Sequence, residues 1–356
     1  MKSNFLDWLD QRYDFSQVRH IIKHKQVPIH KHSYWYYMGG VTLFLFLIQL
    51  ATGILLLMYY QPGENSSYES VQYLVTKVDF GWLIRNLHSW SANLMIFFAF
   101  LHMFSVFFTG AYKKPRELTW VSGFILLVLG MGFGFSGYLL PWNELAFYAT
   151  KVGTDIVGAV PIIGEELKII LRGGEDVTGA TLSRFFGIHV AILPAVFTLF
   201  LAIHLLMIQK QGMSEPEFFT KLPQEKKRYI SFFPDFALRD FLLWLFVLYL
   251  LLFLTLYYQW ELGLKADPLT PAPQGIRPEW YFMFMFQSLK LLPPHLFFIE
   301  GETFGVLFFT LAGIFWMLIP FIDIKLGKKN NNILMPALGI LVVSFILIMT
   351  IIGYFY

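Results

Sequence analysis

The sequence contains no cysteine and few charged residues. Across 356 residues the absence of Cys excludes disulfides, thiolate metal sites, iron–sulfur clusters held by this chain and haem attached through thioether bonds. Charged side chains make up only 14% of the chain, against roughly 25% in soluble domains. The formal net charge of +3 gives no support to a nucleic-acid partner. With 56% hydrophobic residues and a mean hydropathy of +0.56, this composition is typical of an integral membrane protein.

Seven uncharged, mostly apolar runs are long enough to cross a bilayer, which takes about 20 residues in a helix. In chain order they are Ser33–Pro62, Asn86–Tyr112, Leu118–Asn143, Phe185–Gln209, Phe241–Trp260, Thr303–Ile322 and Ile333–Tyr356. The sequence therefore predicts an all-α fold, a polytopic membrane protein with seven transmembrane helices. The run Leu291–Ile299 is too short to cross, and we expect a re-entrant or interfacial piece there.

Lys and Arg cluster before the first predicted span and between the second and third, fourth and fifth, and sixth and seventh spans. With seven spans these segments lie on one side of the membrane, and they hold 18 of the 27 basic residues. Because basic residues favour the cytoplasmic side, we expect a cytoplasmic N-terminus (the n side) and an external C-terminus (the p side). The residues are Lys2, Arg12, Arg19, Lys23, Lys25, Lys31, Lys113, Lys114, Arg116, Lys210, Lys221, Lys226, Lys227, Arg228, Arg239, Lys325, Lys328 and Lys329.

A polar, basic, proline-containing linker at residues 211–238 divides the spans into groups of four and three. We therefore predict a cytoplasmic N-terminal segment at 1–32, a four-helix unit at 33–210, the linker, and a three-helix unit at 239–356. We find no internal repeat that relates the two units.

Four of the nine histidines lie inside predicted spans, where ionisable residues are costly and usually functional. His88 and His102 are fourteen residues apart in the second span, and His189 and His204 are fifteen apart in the fourth. Fourteen helical residues rise about 21 Å and return to within about 40° of the same face. Both spans run from the p side to the n side, so we expect His88 to face His189 and His102 to face His204. An isolated His would be explained as well by a hydrogen bond between helices, but this spacing favours the paired arrangement.

Two bis-imidazole sites at two depths are what two b haems require. Zinc or copper is less consistent with the pattern, because neither pair has a third protein ligand. Gly39 and Gly53 in the first span and Gly123 and Gly137 in the third are also fourteen residues apart. Glycine lets a flat macrocycle approach a helix backbone, although it also serves helix packing in membranes. The interval shared with the histidines favours the first interpretation.

Two further features of the sequence agree with the haem prediction. Haem propionates need cationic partners, and Arg85 and Arg184 lie at the p-side starts of the second and fourth spans. Aromatic residues reach 19% with 39 Phe, and two macrocycles with their apolar contacts account for part of that excess. Both haems are expected to be bound without a covalent link.

Four segments resemble signatures of cytochrome b from the Rieske–cytochrome b (bc- and bf-type) complexes. They are Gly81–His88, Lys113–Trp120, Gly137–Trp142 and Pro278–Tyr281, of which the last is the most specific. The resemblance covers essentially the whole chain. The seven spans and the fifteen-residue histidine interval resemble the plant-type bf arrangement, in which the four-helix and three-helix parts are separate chains. Here the two parts are fused.

The resemblance implies a quinol-oxidising Q cycle in an energy-transducing membrane, which we expect to be a bacterial cytoplasmic membrane. Quinol would be oxidised at the p side and quinone reduced at the n side, which contributes to a proton gradient. The implied partners are a Rieske iron–sulfur protein, a c-type cytochrome subunit, quinone, membrane lipid and a second copy of the complex. Glu279 would accept a quinol proton beside Tyr138 and Tyr281, with Pro278 and Trp280 in the same quinone-binding segment.

Two of the carboxylates have simpler interpretations. Glu279 would alternatively be a loop carboxylate paired with Arg277. Asp240 matches a family carboxylate near the quinone-reducing site on the n side. It is explained equally well as a helix-start acid that the helix dipole favours.

The chain departs from the plant-type pattern near the n side. Tyr37 stands where plant-type relatives carry the Cys that binds an extra haem, so a covalent third haem is excluded and a noncovalent one is left open. Those relatives commonly carry Arg at the positions of Ser89, Ser105 and Gln209. The candidates to replace these cations are Lys113, Lys114 and Lys210.

Two other functions remain as alternatives. A membrane dihaem anchor that links a dehydrogenase to the quinone pool would need the histidine pairs, but it would have no use for Glu279. A transporter with proton-relaying histidines would show no b-type haem absorption.

Overall fold

The computed structural model describes residues 5–15, 24–296, 298–326 and 333–355. In these parts of the chain seven helical segments are long and apolar enough to cross a membrane, which confirms the predicted number. They are Ser33–Leu57, Gly81–Phe108, Glu117–Tyr138, Gly179–Gln211, Phe232–Tyr257, Gly301–Asp323 and Leu334–Phe355. Five of the basic residues used to predict the orientation lie outside the described residues: Lys2, Arg19, Lys23, Lys328 and Lys329.

The described chain is mostly α-helical. Its α-helices are α1 (Phe5–Tyr13), α2 (Tyr37–Leu57), α3 (Ser67–Lys77), α4 (Gly81–Phe108), α5 (Glu117–Tyr138), α6 (Glu144–Gly158), α7 (Gly164–Arg172), α8 (Gly179–Gly187), α9 (Leu193–Gln211), α10 (Glu217–Thr220), α11 (Ala237–Tyr257), α12 (Trp280–Leu291), α13 (Gly301–Leu326) and α14 (Leu334–Phe355). Short 3₁₀ turns lie at Ser33–Tyr36 and Gln224–Lys226, and π turns lie at Ile188–Ile192 and Phe232–Phe236.

The second, fourth and fifth spanning segments begin earlier than the sequence predicted, at Gly81, Gly179 and Phe232. Each contains an arginine near its beginning, which the requirement for an uncharged run had placed outside the span. Long basic side chains can lie along a helix while their charged ends reach the interface. A charged residue therefore indicates the edge of the hydrocarbon core of the membrane, while the helix itself can begin earlier in the chain.

The π turn at Ile188–Ile192 joins α8 to α9 and contains His189. Its hydrogen bonds run from residue i to i+5, so it takes up one residue more than an α-helical turn. The fifteen-residue interval from His189 to His204 is thereby equivalent to fourteen residues of regular helix. That is the interval between His88 and His102 in α4, so the π turn brings the two helices into the same register.

Two small antiparallel sheets depart from the all-α prediction. β1 (Gln26–Ile29) pairs with β2 (Arg228–Ser231), with Val27 opposite Ile230. Val27 is only 1% exposed, so this ribbon is packed and ties the N-terminal segment to the linker. Both lie on the predicted n side, and the labels n side and p side below follow that prediction. β3 (His295–Leu296) pairs with β4 (Ile299–Glu300). This hairpin follows α12, so the run expected to be re-entrant or interfacial is the end of a short helix and a tight hairpin.

The long p-side connection between α5 and α9 folds into helices α6 to α8 around a buried cation. Arg172 is 2% exposed and donates to the Thr154 hydroxyl at 2.7 Å, to the Lys151 and Glu175 carbonyls at 2.8 Å, and to the Asp155 carboxylate at 2.8 Å. A buried charge is tolerated when its donors are satisfied in this way. These bonds hold α6, α7 and the turn after α7 as one unit.

The predicted three-helix and four-helix units pack directly on one another. α11 packs against α2 and α4, while α13 packs against α5. On the n-side half, Trp316 of α13 lies against Phe107 of α4 and Trp120 of α5, and the Trp120 indole donates to the Trp316 carbonyl at 3.1 Å. Aromatic clusters of this kind bury large apolar areas with defined geometry.

Candidate functional site

His88 and His102 lie on α4, His189 lies in the π turn between α8 and α9, and His204 lies on α9; each ring faces a glycine on a neighbouring helix. A Cβ on Gly39 would lie 3.1 Å from the His102 ring, and one on Gly53 would lie 3.4 Å from the His88 ring. Gly123 and Gly137 of α5 stand in the same relation to His204 and His189. The distances there are 3.1 Å and 2.6 Å. The glycines predicted to make room for a macrocycle thus make room for the rings expected to ligate it.

Hydroxyl groups set the orientation of three of the four rings. The Nδ1 atom lies 2.9 Å from Thr52 Oγ1 in His88, 3.0 Å from Ser136 Oγ in His189 and 2.9 Å from Ser122 Oγ in His204. The sequence analysis did not identify these residues, although each directly precedes one of the repeated glycines. A hydroxyl directly before a glycine of the repeat was the available signal.

The surroundings of the rings favour one tautomer. A hydroxyl has one hydrogen to donate, and Thr52 has the Ile48 carbonyl at 2.6 Å, one helical turn back, to receive it. Ser122 and Ser136 have carbonyls of their own helix at 2.9 Å and 3.3 Å. With its hydrogen on that carbonyl, each hydroxyl accepts from Nδ1–H and leaves the Nε2 lone pair free; the carbonyls of Phe133 and Thr119 also accept from His189 and His204. A histidine whose Nε2 binds a metal while Nδ1–H is held by a second residue is a common ligand arrangement.

The p-side pair lies close enough for both rings to bind one metal ion. The ring centroids of His88 and His189 lie 6.4 Å apart. Within the described chain no group of three or more His, Asp or Glu side chains could hold a metal ion by itself. The residues therefore fit a metal that brings its own equatorial ligands, as haem iron does.

The n-side pair lines a cavity of about 880 Å³, within the range of about 300–1,000 Å³ typical of ligand sites. His102 and His204 lie on its walls together with Gly39 and Gly123, which agrees with a large flat ligand. The cavity also extends to Asp240 at the n-side end. Here the Nδ1 atom of His102 is buried and finds no hydrogen-bond partner among the described residues.

The two p-side arginines contact the backbone of the p-side loops. Arg85 donates to the carbonyls of Trp260 and Glu261, in the connection that follows α11. Arg184 lies against Gly173, whose φ of +80° belongs to the left-handed region. A guanidinium carries five donors, so Arg85 retains donors beyond these two carbonyls. The role of both residues as propionate partners stays a prediction.

A second group of predicted residues lies where α12 begins, on the p side. Trp280 donates its indole N–H to the Asn93 side chain of α4 at 2.9 Å, which fixes the start of α12 against the helix that carries two of the histidines. Tyr281 is 4% exposed, and its hydroxyl occupies the space beside Gly134 of α5. Asn93 and Gly134 were missed by sequence reasoning, since neither belongs to a charged or metal-ligating type.

Glu279 directly precedes α12 and is half-buried. Burial raises the pKa of its carboxyl above the usual range. Arg277 donates instead to the Tyr354 carbonyl at 2.8 Å, and no described ion pair involves Glu279. Burial raises the pKa of Tyr281 as well, and the charge of Glu279 and then the nearby Tyr138 add to that effect. The structure thus brings Glu279, Tyr281 and Tyr138 together and argues against the Arg277 pairing.

On the n side, Asp240 lies in the first turn of α11 with its carboxylate against Gly40 of α2. A Cβ on Gly40 would lie 2.5 Å from Asp240 Oδ2. Glycine at this position therefore leaves the space that the Asp240 carboxylate occupies at the cavity wall. The Oδ1 atom is buried, and the Trp244 side chain is the hydrogen-bond donor beside this carboxylate. Its place in a first helical turn also fits the helix-start interpretation, so the geometry leaves both interpretations open.

The cations expected to replace the family's arginines have different surroundings. Lys113 forms an ion pair with Asp323 at 3.5 Å. Lys25, which sequence reasoning did not single out, lines the n-side cavity and donates to Gln209 at 2.6 Å. Burial lowers the pKa of Lys25. Arg116, also on the cavity wall, donates to the carbonyls of residues 211–213.

Comparison with known proteins agrees with this arrangement. The family described as Cytochrome b/b6/petB matches residues 22–212, and the family described as Cytochrome b(C-terminal)/b6/petD matches residues 265–355. The cytochrome bc complex cytochrome b subunit of Chlorobaculum thiosulfatiphilum is 48% identical over 344 residues, 96% of this chain and 79% of that protein. Cytochrome b6 of Cyanidium caldarium is 46% identical over 60% of this chain and 99% of its own length.

A solved structure extends the similarity to the three-dimensional level. A chain of the hyperthermophilic respiratory Complex III superposes with a TM-score of 0.80 at 26% identity. The match covers 98% of this chain and 97% of that one. Both the four-helix and the three-helix parts are therefore included in the shared fold.

Proposed function

This chain belongs to the cytochrome b/b6 family, and we propose that it binds two b haems, one between His88 and His189 and one between His102 and His204. It is a core subunit of a quinol:electron-acceptor oxidoreductase of the bc/b6f type, whose activity is the Q cycle. Haem bound at the two pairs would supply one-electron transfer at two depths of the membrane.

The observation that carries the haem proposal is the orientation of the histidine rings. Three hydroxyls lie within hydrogen-bond distance of Nδ1, which leaves Nε2 of these rings free to bind a metal ion. The 6.4 Å separation of the His88 and His189 rings leaves room for one metal ion between two such lone pairs. The glycines clear the adjoining backbone, and the residues hold the ligands before haem binds.

At the p side we assign quinol oxidation to the residues around the start of α12. Glu279 would accept the proton of a quinol hydroxyl, because its buried carboxyl has a raised pKa and is therefore a stronger base than a solvated one. Tyr281 and Tyr138 would form the wall of the pocket and orient the quinol. Pro278 and Trp280 complete the quinone-binding segment, and the bond from Trp280 to Asn93 keeps it in place.

At the n side we assign quinone reduction to the cavity that Asp240 borders. A quinone that gains electrons must also gain protons, and a buried carboxyl at the cavity wall is suited to deliver one. Lys25 and Arg116 lie on the same wall and would carry positive charge toward the reduced form.

The wider assembly follows from family membership and from the distribution of charge. We propose a Rieske iron–sulfur protein and a c-type cytochrome subunit as partners, in a homodimeric complex of a bacterial energy-transducing membrane. The N-terminus would be cytoplasmic and the C-terminus external, as the positions of Lys and Arg indicate. The chain would then consist of four parts: a cytoplasmic N-terminal segment at 1–32, the haem-binding unit at 33–210, a cytoplasmic linker at 211–238, and the unit with the quinol-site loop at 239–356.

The haem proposal is tested on the purified complex by acid–acetone extraction and a reduced-minus-oxidised spectrum. We expect two extractable haems per chain, each with b-type absorption, which titrate as two components. A single extractable haem, or none, would refute the assignment of two bis-histidine sites and would support a transporter or another function.

A further inference from the structure

Three of the four glycines that face a histidine follow a hydroxyl residue, and the fourth does not. The three pairs are Thr52-Gly53, Ser122-Gly123 and Ser136-Gly137. Gly39 follows Met38. The hydroxyl of each pair contacts the histidine that its glycine faces. The exception at Met38 coincides with His102, whose Nδ1 atom has no partner in the described part of the chain.

The two haem sites therefore differ in the number of supported ligands. On the p side both rings are held, His88 by Thr52 and His189 by Ser136. On the n side Ser122 holds His204, whereas His102 Nδ1 has no acceptor among the described residues. Buried polar groups are nearly always satisfied, so a lone exception at a ligand is a functional candidate.

Comparison of the two glycines on the n side points to residue 38 as the position of the missing acceptor. A Cβ on Gly39 would lie 3.1 Å from His102 Cε1 and 3.5 Å from Nδ1. The corresponding distances from Gly123 to His204 are 3.1 Å and 3.6 Å. Since Ser122 reaches its ring from the position before Gly123, a hydroxyl before Gly39 would be expected to reach His102 in the same way.

We propose that Met38 is a positioning residue that raises the reduction potential of the n-side haem by leaving His102 Nδ1–H without an acceptor. The proposal rests on the two haem sites of the proposed function. An acceptor at Nδ1–H makes an imidazole a more basic ligand, which favours the ferric over the ferrous state. Two acceptors at the p-side site and one at the n-side site thus bias electrons toward the n side.

The test is a redox titration of the purified complex, followed through the b-type absorption of each haem. Met38→Ser should lower the potential of the n-side haem and leave that of the p-side haem unchanged. If the new hydroxyl favours the ferric state about tenfold, the shift is about 59 mV for one electron. Met38→Leu is the matched control, because it changes the side chain without adding an acceptor, and it should leave both potentials unchanged.

A further variant tests the same rule by removing an acceptor. Thr52→Val should raise the p-side potential, because Thr52 is the one described partner of His88 Nδ1. An unmoved n-side potential in Met38→Ser, with both haems present, would overturn the role of Met38. An equal shift in Met38→Leu would overturn it too, since packing would then be the cause. A wild-type complex without b-type absorption would instead refute the proposed function itself.

Discussion

Replacing Gly134 by alanine would place a methyl group in the space that the Tyr281 hydroxyl occupies. The new carbon would overlap the hydroxyl and lie 2.7 Å from Tyr281 Cζ, whereas carbon atoms prefer about 3.5–4.0 Å. Relief of that overlap moves the tyrosine ring by about 1 Å. Tyr281 is 4% exposed and wedged between α5 and the start of α12, so the movement passes to the adjoining Glu279.

A displacement of about 1 Å at a reacting group can reduce the rate about 100-fold. We therefore expect Gly134→Ala to lower kcat for quinol oxidation by about two orders of magnitude. Both haem spectra should be retained, because the histidine-facing glycines are untouched. The assay is quinol-dependent reduction of the electron acceptor by the purified complex, with the haem content measured in the same sample.

Gly132 supplies the matched control, since it lies two residues away on α5 and a Cβ there would make an ordinary contact with Leu193 at 3.8 Å. Gly132→Ala should leave the rate unchanged. The double variant Gly134→Ala with Tyr281→Phe removes the atom that overlaps most, so the additional effect of Gly134→Ala should be smaller in the Tyr281→Phe background. Wild-type turnover in Gly134→Ala would contradict the placement of Tyr281 at the quinol site.

Other substitutions probe separate parts of the protein. Glu279→Gln should keep both haems but slow quinol oxidation sharply. Because burial raises the carboxyl pKa, the activity of the wild-type protein should rise with pH through that raised pKa, and the Glu279→Gln variant should not show this rise. Unchanged turnover would favour the dihaem anchor. His102→Leu should remove only the n-side haem from the spectrum, and loss of both would show the pairing to be wrong. Arg172→Met loses four hydrogen bonds, worth about 1 kcal/mol each. The bond to Asp155 contributes less than the others, because that carboxylate is half exposed to solvent. The segment between α6 and α8 should therefore become sensitive to limited proteolysis, and unchanged resistance would contradict this role of Arg172.

Much of the architecture could be predicted because its signals are local. Each span is a continuous apolar run, so composition alone reveals it, and the seven described spans agree with those runs. Boundaries were less accurate where Arg85, Arg184 and Arg239 lie within helices, because a charge near a helix end does not terminate hydrogen bonding. The β1–β2 ribbon could not be predicted, since its strands are about 200 residues apart and are four residues long.

Some residues of the candidate site could likewise be predicted from the sequence, and others could not. The histidines and the Pro278–Tyr281 segment stand out because ionisable residues in apolar runs, and an unusual motif, are visible without a partner. Thr52, Ser122, Ser136 and Asn93 do not stand out, because Ser, Thr and Asn are common in membrane helices and gain a role only from the ring they contact. Their function is a property of a contact and not of a residue type.

By itself the sequence determined a seven-span membrane protein with two histidine intervals of nearly equal length, since hydropathy and spacing are properties of one chain segment at a time. Only the tertiary structure decided which hydroxyl supports which imidazole, and that none of the described residues supports His102. It also explained the unequal intervals: the π turn at Ile188–Ile192 takes up one residue and aligns His189 with His88. The physical reason is that a shift in backbone hydrogen bonding leaves hydropathy unchanged, while it rotates every side chain that follows.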